Sequence, residues 1–495
     1  MQDNKKKRLY ELLDSEMAKL KSLTAGYLES DVSIGQMEKG YLEQVLSLCL
    51  SLLKFVISVK KAQLSEKTPK TKAGETLQKK GGRSRKYLSL FGLLEFSRPS
   101  FWSKASGMLY PLDEVLEMPA DLWSYNIQEM TGANASETNF RESVRLMNDL
   151  LGLGLSDVGS KRNAGNLGSQ VGQYYEQKER PLPAGAVCFS ASFDGKGVPK
   201  IKEKDKGQTK EIKRLGKREK RDVKQMATVG VMSWFEPKER DVEKVINGLM
   251  GYRPDKDEGQ QDMQTDSLPN DNRWHQGIHR RAFLADQEKC IEYGIGYIKS
   301  MMHHPESRFV VPIDAGIGLE DKVLKYVKQY GLESRFDGII LDIVHVSEYV
   351  WGCANALFGE GSKLRTGWVR EMLEDLLNSR TSKVIKDLEK IIEKGKLSKS
   401  KTDKIQTAVT YFTNHQHKMD YKSFLEKGYP VSSALVESNC RHLVKDRMEL
   451  SGMRWSSEGA QNMLDLRAVK LNGDMEDFMP FISNNERKTI LAMAA

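Results

Sequence analysis

Asp194 and Asp314 each follow an apolar, β-prone run, and Glu437 stands on a late stretch with helical spacing. Carboxylate oxygens are hard ligands. Three of them projecting from rigid elements into one cleft would hold two Mg²⁺ ions roughly 3.5–4 Å apart, clamping the attacking and leaving oxygens of a phosphodiester. Without cations, two ionised carboxylates ~4 Å apart repel by about 4 kcal/mol at an effective dielectric of about 20, so such a cluster implies metal dependence. Taken singly, each is also an ordinary turn or capping acid, since Asp before Gly is a common turn former. Convergence of the three is what separates the two readings.

The elements that must position them can be read from periodicity. AVCFSASF (186–193) is apolar on both faces, as in a strand of a covered sheet, and ends at Asp194-Gly195. ATVGVMSWF (227–235), FVVPID (309–314) and GIILDIVHV (338–346) read as further strands, with Pro312 arguing against a central place for the third. A polar loop at 252–272 and a helical stretch at about 280–303 separate the second and third, which implies an α/β core. Residues 347–427 are helical in pattern and read as an insertion, with WVREMLEDLL and VIKDLEKIIEKG its clearest repeats. The turn Gly428-Tyr429-Pro430 then leads into a helix bearing Glu437, capped by Ser432 or Ser433 and stopped at Gly452.

Upstream, residues 5–64 give two amphipathic helices, and the apolar run at 45–59 reads as a buried helix because it is short for a bilayer and carries Lys54. Residues 66–86 read as a basic linker or arm, followed by a hairpin around Phe91-Gly92. From 120 to 172 helical spacing returns, broken at Thr131-Gly132 and Leu151-Gly152, with Ser136 and Ser156 as N-caps. That pattern suits either a helix-turn-helix DNA reader or a plain bundle. The resulting divisions are 1–80, 81–180, 181–347, 348–428 and 429–495.

A formal net charge of +9 and a pI of about 9.0 suit attraction to a polyanion, or simply a solvated basic surface. The five cysteines are far apart and lack a Cys-x-x-Cys pair, so neither a zinc ribbon nor a disulfide framework is suggested. With no apolar segment behind the basic start, the expectation is a cytoplasmic protein with no membrane partner. The stretch 196–224 is dense in cations: Lys196, Lys213, Arg214, Lys217, Arg218, Lys220 and Arg221 would neutralise phosphates and release counterions, although interspersed acids also suit a solvated loop. Arg441 and Lys445 follow Glu437 at four-residue steps, on one face of an α-helix, where they would grip a DNA strand or pair with the acid. His345 and His442 are candidates for contact with a phosphate or a carboxylate, or for satisfied structural groups; Trp351 suits stacking on an unpaired base or core packing, and Arg454 and Trp455 belong to an SGMRW segment.

FDGKGV (193–198), RLGKREKRDVKQMATVG (214–230), LDIVHVSEYVWGCANALFGEG (341–361) and GYPVSSALVESNCRHLVKDRMELSGMRWSSEGAQNMLDLRA (428–468) together resemble the ISKra-type bacterial insertion-sequence transposases, distant relatives of the Mutator group. The resemblance spans 186–475, with weaker likeness upstream around PLDE at 111–114. It implies a DDE transposase with an α/β ribonuclease-H-like catalytic core, an all-α insertion and a mostly helical N-terminal DNA-binding region. Asp194, Asp314 and Glu437 would be the catalytic metal ligands for two Mg²⁺ ions, with Mn²⁺ as a substitute. Asp342 and His345 match an Asp-x-x-His motif that supports the site or contacts DNA; a rival alignment makes Asp342 the second ligand. The DNA-binding residues would be Lys196, the 213–221 cations, Trp351, Arg441, His442, Lys445, Arg454 and Trp455.

The implied reaction is cleavage of double-stranded DNA at element ends and strand transfer into target DNA, by a homodimer or larger assembly in the nucleoid. A catalytically inactive, transposase-derived DNA-binding protein is the alternative. Two departures stand out: Ile313-Asp314-Ala315 replaces a Gly-Asp-Gly, and FWSKASGMLY (101–110) lacks the cysteines of a finger found in many relatives.

Overall fold

Residues 2–65, 77–104, 107–201, 224–251, 275–316, 318–358, 362–395 and 397–493 are described by the computed structural model. They fall into two compact units, Met1–Glu176 with Gly473–Ala495, and Gln177–Asn472.

The first unit opens with α1 (Gln2–Leu28) and α2 (Ile34–Ser65). Between them Glu16 is buried, accepting hydrogen bonds from Lys19 Nζ at 2.8 Å, Gln44 Nε2 at 3.2 Å and Ser51 Oγ at 3.2 Å. The apolar run of α2 is not the buried helix its composition suggests: only 6% of its most apolar window is enclosed, and by length and composition the helix could cross a bilayer. Leu50, Leu53 and Ile57 pack among Leu94, Leu112 and Met118.

The hairpin expected around Phe91-Gly92 forms, but it is longer than its sequence signal. β1 (Gln78–Ser89) begins inside the stretch read as a linker and pairs with β2 (Gly92–Ser103); β3 (Gly107–Leu109) adds a short third strand. The first half of β1 is exposed and basic, so no apolar alternation betrays it.

Next come α3 (Pro111–Val115), α4 (Tyr125–Ala135), α5 (Phe140–Leu151) and α6 (Asp157–Gln177). Helix α4 runs straight through Thr131-Gly132, and Ser136 closes it instead of opening α5, whose cap is Asn139, accepting from Glu142 N at 2.9 Å. Gly152, at φ 62°, ends α5, and Ser156 caps α6 by accepting from Gly159 N at 3.0 Å. From Gly473 the chain returns to this unit: Phe478 packs on Tyr174 with ring centroids 5.1 Å apart, and Tyr125 Oη donates to Glu486 at 2.8 Å.

The second unit is a mixed α/β structure. β4 (Cys188–Pro199), β5 (Lys224–Phe235), β6 (Gly277–Leu284), β7 (Arg308–Ile313) and β8 (Phe336–Leu341) form one sheet in the order β6-β5-β4-β7-β8. β4, β5 and β6 are antiparallel neighbours, while β4, β7 and β8 run parallel. β6 lies in a stretch expected to be loop and helix; its buried positions include His279 and Arg281 beside Ala282 and Phe283, which hides the strand period. Similarly, IVHV (343–346) does not extend β8: the strand ends at Leu341 and a helix starts at Ile343.

Alternation along the strands sends side chains to two covered faces. Phe189, Ala191, Phe193, Phe309, Val311 and Ile313 pack under α8 (Gln287–Met301) and α9 (Leu319–Gln329), where α7 (Val242–Gly251) is absent. Cys188, Val310, Ile340 and Leu341 belong to the opposite core, with α7 and α10 (Ile343–Leu357). That core extends into the all-α stretch of α11 (Lys363–Leu377), α12 (Thr381–Glu393), α13 (Lys399–His415) and α14 (Tyr421–Glu426).

Beyond the turn, α15 (Ala434–Asn439) continues as a π-helical segment, Cys440–Lys445, and then α16 (Asp446–Met448). α17 (Ser457–Leu471) packs on β6, where Arg281 Nη2 meets Asp465 Oδ1 at 2.8 Å with both side chains nearly enclosed.

Removing one partner of such a pair strands a buried charge. Asp465→Ala is therefore expected to lower unfolding stability by about 3–5 kcal/mol in urea titrations followed by far-UV circular dichroism. A loss within experimental error would show that this contact does not hold α17 to the sheet.

Candidate metal centre

Strand parity brings the first two acids to one face. Asp194 shares the face of Cys188, and Asp314 follows Ile313 at the end of β7 with the parity of Val310, on the side of α10. β4 does not end at Asp194; it runs on to Pro199, so Asp194 is a mid-strand residue paired with Val229. The parallel pairing of β4 with β7 stops at Ser190↔Val310, two residues before Pro312. Continuing that register by four residues would set Asp194 opposite Asp314. On the other side, Ile313 pairs with Leu341, and Asp342 N donates to Ile313 O at 2.8 Å, so Asp314 and Asp342 leave adjacent strands at the same level.

Asp342 caps α10 and is fully enclosed. Its Oδ1 accepts from Val344 N at 2.8 Å; its Oδ2 accepts from Ser433 Oγ and from His345 Nδ1, the latter at 3.1 Å. His345 Nδ1 also lies 3.7 Å from Glu437 Oε1. One ligand atom from each of Asp342, His345 and Glu437 lies within 4.8 Å of the others, so these three could hold a metal ion. Asp314 is outside that tight group but lines the same cleft as His345, and its Oδ1 accepts from Gly316 N at 3.1 Å. Asp194 is next to Cys440, whose thiol donates to it, and its charge is felt at Glu437.

The electrostatics follow from this crowding. Glu437 keeps 43% of its side-chain surface accessible, yet loss of hydration pushes its carboxyl up to about 7, with Asp342, Asp194 and Glu348 acting in the same direction and His345 opposing them. His345 is raised to about 9, first by its hydrogen bond to Asp342 and then by the charges of Asp342, Glu437 and Glu348, against the effect of burial. Burial, followed by the charge of Asp194 and the hydrogen bond to it, drives the Cys440 thiol well above its ordinary range.

The remaining candidates scatter. Lys213, Arg214, Lys217, Arg218, Lys220 and Arg221 lie outside the described residues, as does the 252–272 loop. Lys196 is half-buried near Asp194 on β4. Arg441, His442, Lys445 and Arg454 are exposed. Arg441 and His442 both approach Asp446, Nε at 3.7 Å and Nδ1 at 3.0 Å, and the π-helical turn removes the four-residue face expected to align Arg441 and Lys445 with Glu437.

Trp351 is buried in the core under the Arg365 guanidinium and offers no open ring to a base. Trp455 is also buried, donating from Nε1 to Met448 O at 3.0 Å. Its backbone bonds both to Pro199 O and from Ile201 N, so the SGMRW segment is a clamp on the end of β4. Cys440 and Glu348 were not anticipated, although each stands three residues from an anticipated residue, Glu437 and His345, on a helical stretch. Neither a scan of protein-family models nor a search of curated proteins returned a match.

Two titration outcomes follow in metal-free protein. A carboxyl whose folded pKa is raised loses stability as pH climbs from its unfolded value to its folded one, so Glu437→Gln should gain on wild type between about pH 4.5 and about pH 7 and hold that gain above, read as thermal midpoints; a flat difference would contradict the crowding. A histidine raised by a partner follows the same sign, its stabilising contribution being present below the unfolded value and lost toward the folded one. The advantage of wild type over His345→Asn should be full below about pH 6.5 and vanish as pH passes about 9, and an advantage that persists at high pH would rule out the Asp342–His345 ion pair as its source.

Proposed function

We propose that this chain is a DDE transposase with a ribonuclease-H-like core, cutting DNA at the ends of a mobile element and joining the freed 3′-hydroxyl to target DNA. The observation that carries this reading is the meeting of Glu437 with Asp342 and His345, beside Asp194, at the carboxyl ends of the parallel strands. Support for the fold comes from a five-stranded sheet with three antiparallel strands, then two parallel ones, and a helical stretch before the last acidic helix.

The donor set is hard and anionic, which suits Mg²⁺ or Mn²⁺. In this reading Asp194, Asp314 and Glu437 would hold two Mg²⁺ ions. Bound there, the ions would lower the pKa of the attacking water or 3′-hydroxyl and neutralise charge on the leaving oxygen. Asp342 is assigned a positioning role, because its two oxygens already accept three hydrogen bonds and it holds His345 toward Glu437. His345, cationic at neutral pH, would face the phosphate or stabilise the ionised Glu437. Double-stranded DNA is the partner, and reaction at two ends calls for at least two copies of the chain.

The test compares wild type with Asp194→Asn, Asp314→Asn, Glu437→Gln and Asp342→Asn. Each of the first three is expected to lower Mg²⁺-dependent nicking of a labelled element end by at least about a thousandfold, the scale on which aligned electrostatic groups act. Mn²⁺ binding followed by electron paramagnetic resonance should weaken in the same three and persist in Asp342→Asn. Unchanged, metal-independent behaviour across the series would instead leave a DNA-binding protein without turnover. Loss of Mn²⁺ binding in Asp342→Asn but not in Asp314→Asn would move the second ligand to Asp342.

A further inference from the structure

Helix α2 carries more apolar surface than its own unit uses. Leu50, Leu53 and Ile57 face the cluster of Leu94, Leu112 and Met118, and Gln44 and Ser51 face α1 through Glu16. Between those two sides Leu42, Val45, Cys49, Leu52, Val56 and Val59 follow one another at unbroken steps of three and four, the heptad spacing of a seam that meets another helix. Leu42, Val45 and Val56 are exposed and Cys49, Leu52 and Val59 half-buried, so none of the six is enclosed by the described residues. By the helical period the opposite face of α2 holds Glu43, Ser47, Lys54 and Ser58, all exposed. The helix thus has a separate face for water.

Helix α1 repeats the division. Tyr10, Met17 and Thr24 stand seven residues apart, and Thr24 Oγ1 accepts from Tyr41 Oη at 3.1 Å, which sets this row beside the seam of α2. Tyr10 and Met17 are 61% and 50% exposed. The other flank of α1, with Arg8, Glu11, Ser15, Lys19 and Ser22, is polar and exposed. The pair of helices therefore has one apolar and one polar side. From Leu42 to Val59 the seam runs about 26 Å at the α-helical rise, and two helices each about 10 Å across give roughly 500 Å² per copy. Two such sides placed face to face bury on the order of 1,000 Å², the area a specific protein interface needs.

The charges at the seam's ends name the occupant. Glu38 stands one heptad before Val45 and Lys60 directly after Val59, and both are exposed. In an antiparallel pair about a two-fold axis, Leu42 of one copy layers on Val59 of the other, Val45 on Val56 and Cys49 on Leu52, and each Glu38 approaches the other copy's Lys60. A parallel pair would set like charges together. A lipid surface imposes neither a heptad period nor opposite charges at two ends, and the polar side of the helix pair is unsuited to spanning a bilayer.

We propose that α1 and α2 form a self-association surface that joins a second copy of this chain by antiparallel pairing of α2 along the seam. The dimer needs neither DNA nor metal, and it stands independently of the reading of the acidic site.

Sedimentation velocity of the full chain at micromolar concentration, without DNA, should show a dimer. Leu52→Glu, which would bury two carboxylates at the middle of the seam, should raise the dissociation constant at least about a hundredfold with the far-UV circular dichroism of wild type. Ser47→Glu, on the polar face, should remain dimeric. Glu38→Lys and Lys60→Glu should each weaken the dimer about tenfold, and the two together should restore it, a readout that does not depend on how well Leu52→Glu folds.

A monomeric wild type, a dimer that survives Leu52→Glu in folded protein, or no recovery in the double charge reversal would each overturn the proposal. So would a monomer that floats with phosphatidylcholine–phosphatidylglycerol vesicles and loses them in Leu52→Glu, which would assign this side to a lipid surface.

Discussion

The fully enclosed carboxylate of Asp342 is the contact on which the site's geometry depends. A charge buried without partners is costly, and this one persists because Val344 N, Ser433 Oγ and His345 Nδ1 all donate to it. Those donors come from two places far apart in the chain. The first and third start α10 directly after β8, while Ser433 precedes α15 and Glu437. Satisfying one carboxylate therefore fixes the end of the sheet, the entry of the helical stretch and the return of the acidic helix together. Ile343 N donating to Val431 O and Tyr421 Oη donating to Leu341 O, each at 2.8–2.9 Å, reinforce the same junction from the backbone. The turn that delivers Glu437 is equally constrained: Gly428 sits at φ +75° with Lys238 backbone against the place a Cβ would take.

A second constraint opens the space that this junction faces. In a parallel sheet the crevice lies where the strand order reverses, because chain leaves neighbouring strands in opposite directions. Here that point is between β4 and β7, from which the order runs to β5 and β6 on one side and to β8 on the other. Pro312 counted against a central strand, yet β7 lies between β4 and β8. The two facts are compatible because β4 and β7 stop pairing at Val310, so no ladder bond is asked of the proline on that side. The missing donor lets the strands part just before Asp194 and Asp314.

Legibility in the sequence followed the source of each element's stability. β4, β5 and β7 could be read because burial on both faces demands an unbroken apolar run, and the amphipathic α11 and α12 because one face packs. β6 was illegible since its interior positions include His279 and Arg281, satisfied by Tyr293 Oη and Asp465, partners that adjacent sequence cannot reveal. The exposed half of β1 looked like a linker for a related reason: its order comes from cross-strand pairing with β2. Within the site, acids after strands or on a capped helix marked Asp194, Asp314 and Glu437, whereas Asp342 and His345 were marked only by the family resemblance. The reach of Asp342 to Ser433, the thiol of Cys440 against Asp194 and the burial of Trp351 and Trp455 depend on tertiary contacts or on a π-helical turn that shifts the expected face.

The charge pattern around the junction runs against simple polyanion binding. Asp194, Asp342, Glu348 and Glu437 act on one another closely enough to raise Glu437, and Asp314 lines the adjoining cleft. On the proposed reading, a phosphodiester approaching this centre would meet repulsion where it reacts, despite the chain's net charge of +9. Among the described cations, His345 is paired with the acids, Lys196 acts on Cys440 beside Asp194, and Lys404 lines the adjoining cleft. A basic rim draws a polyanion from a distance, because fields from many charges add, but short-range repulsion scales inversely with separation and dominates at contact. Divalent cations bound there would reverse the sign at the centre. On the proposed reading, the same arrangement that penalises the empty cluster would favour a phosphate-bearing substrate that shares hard metal ions with it.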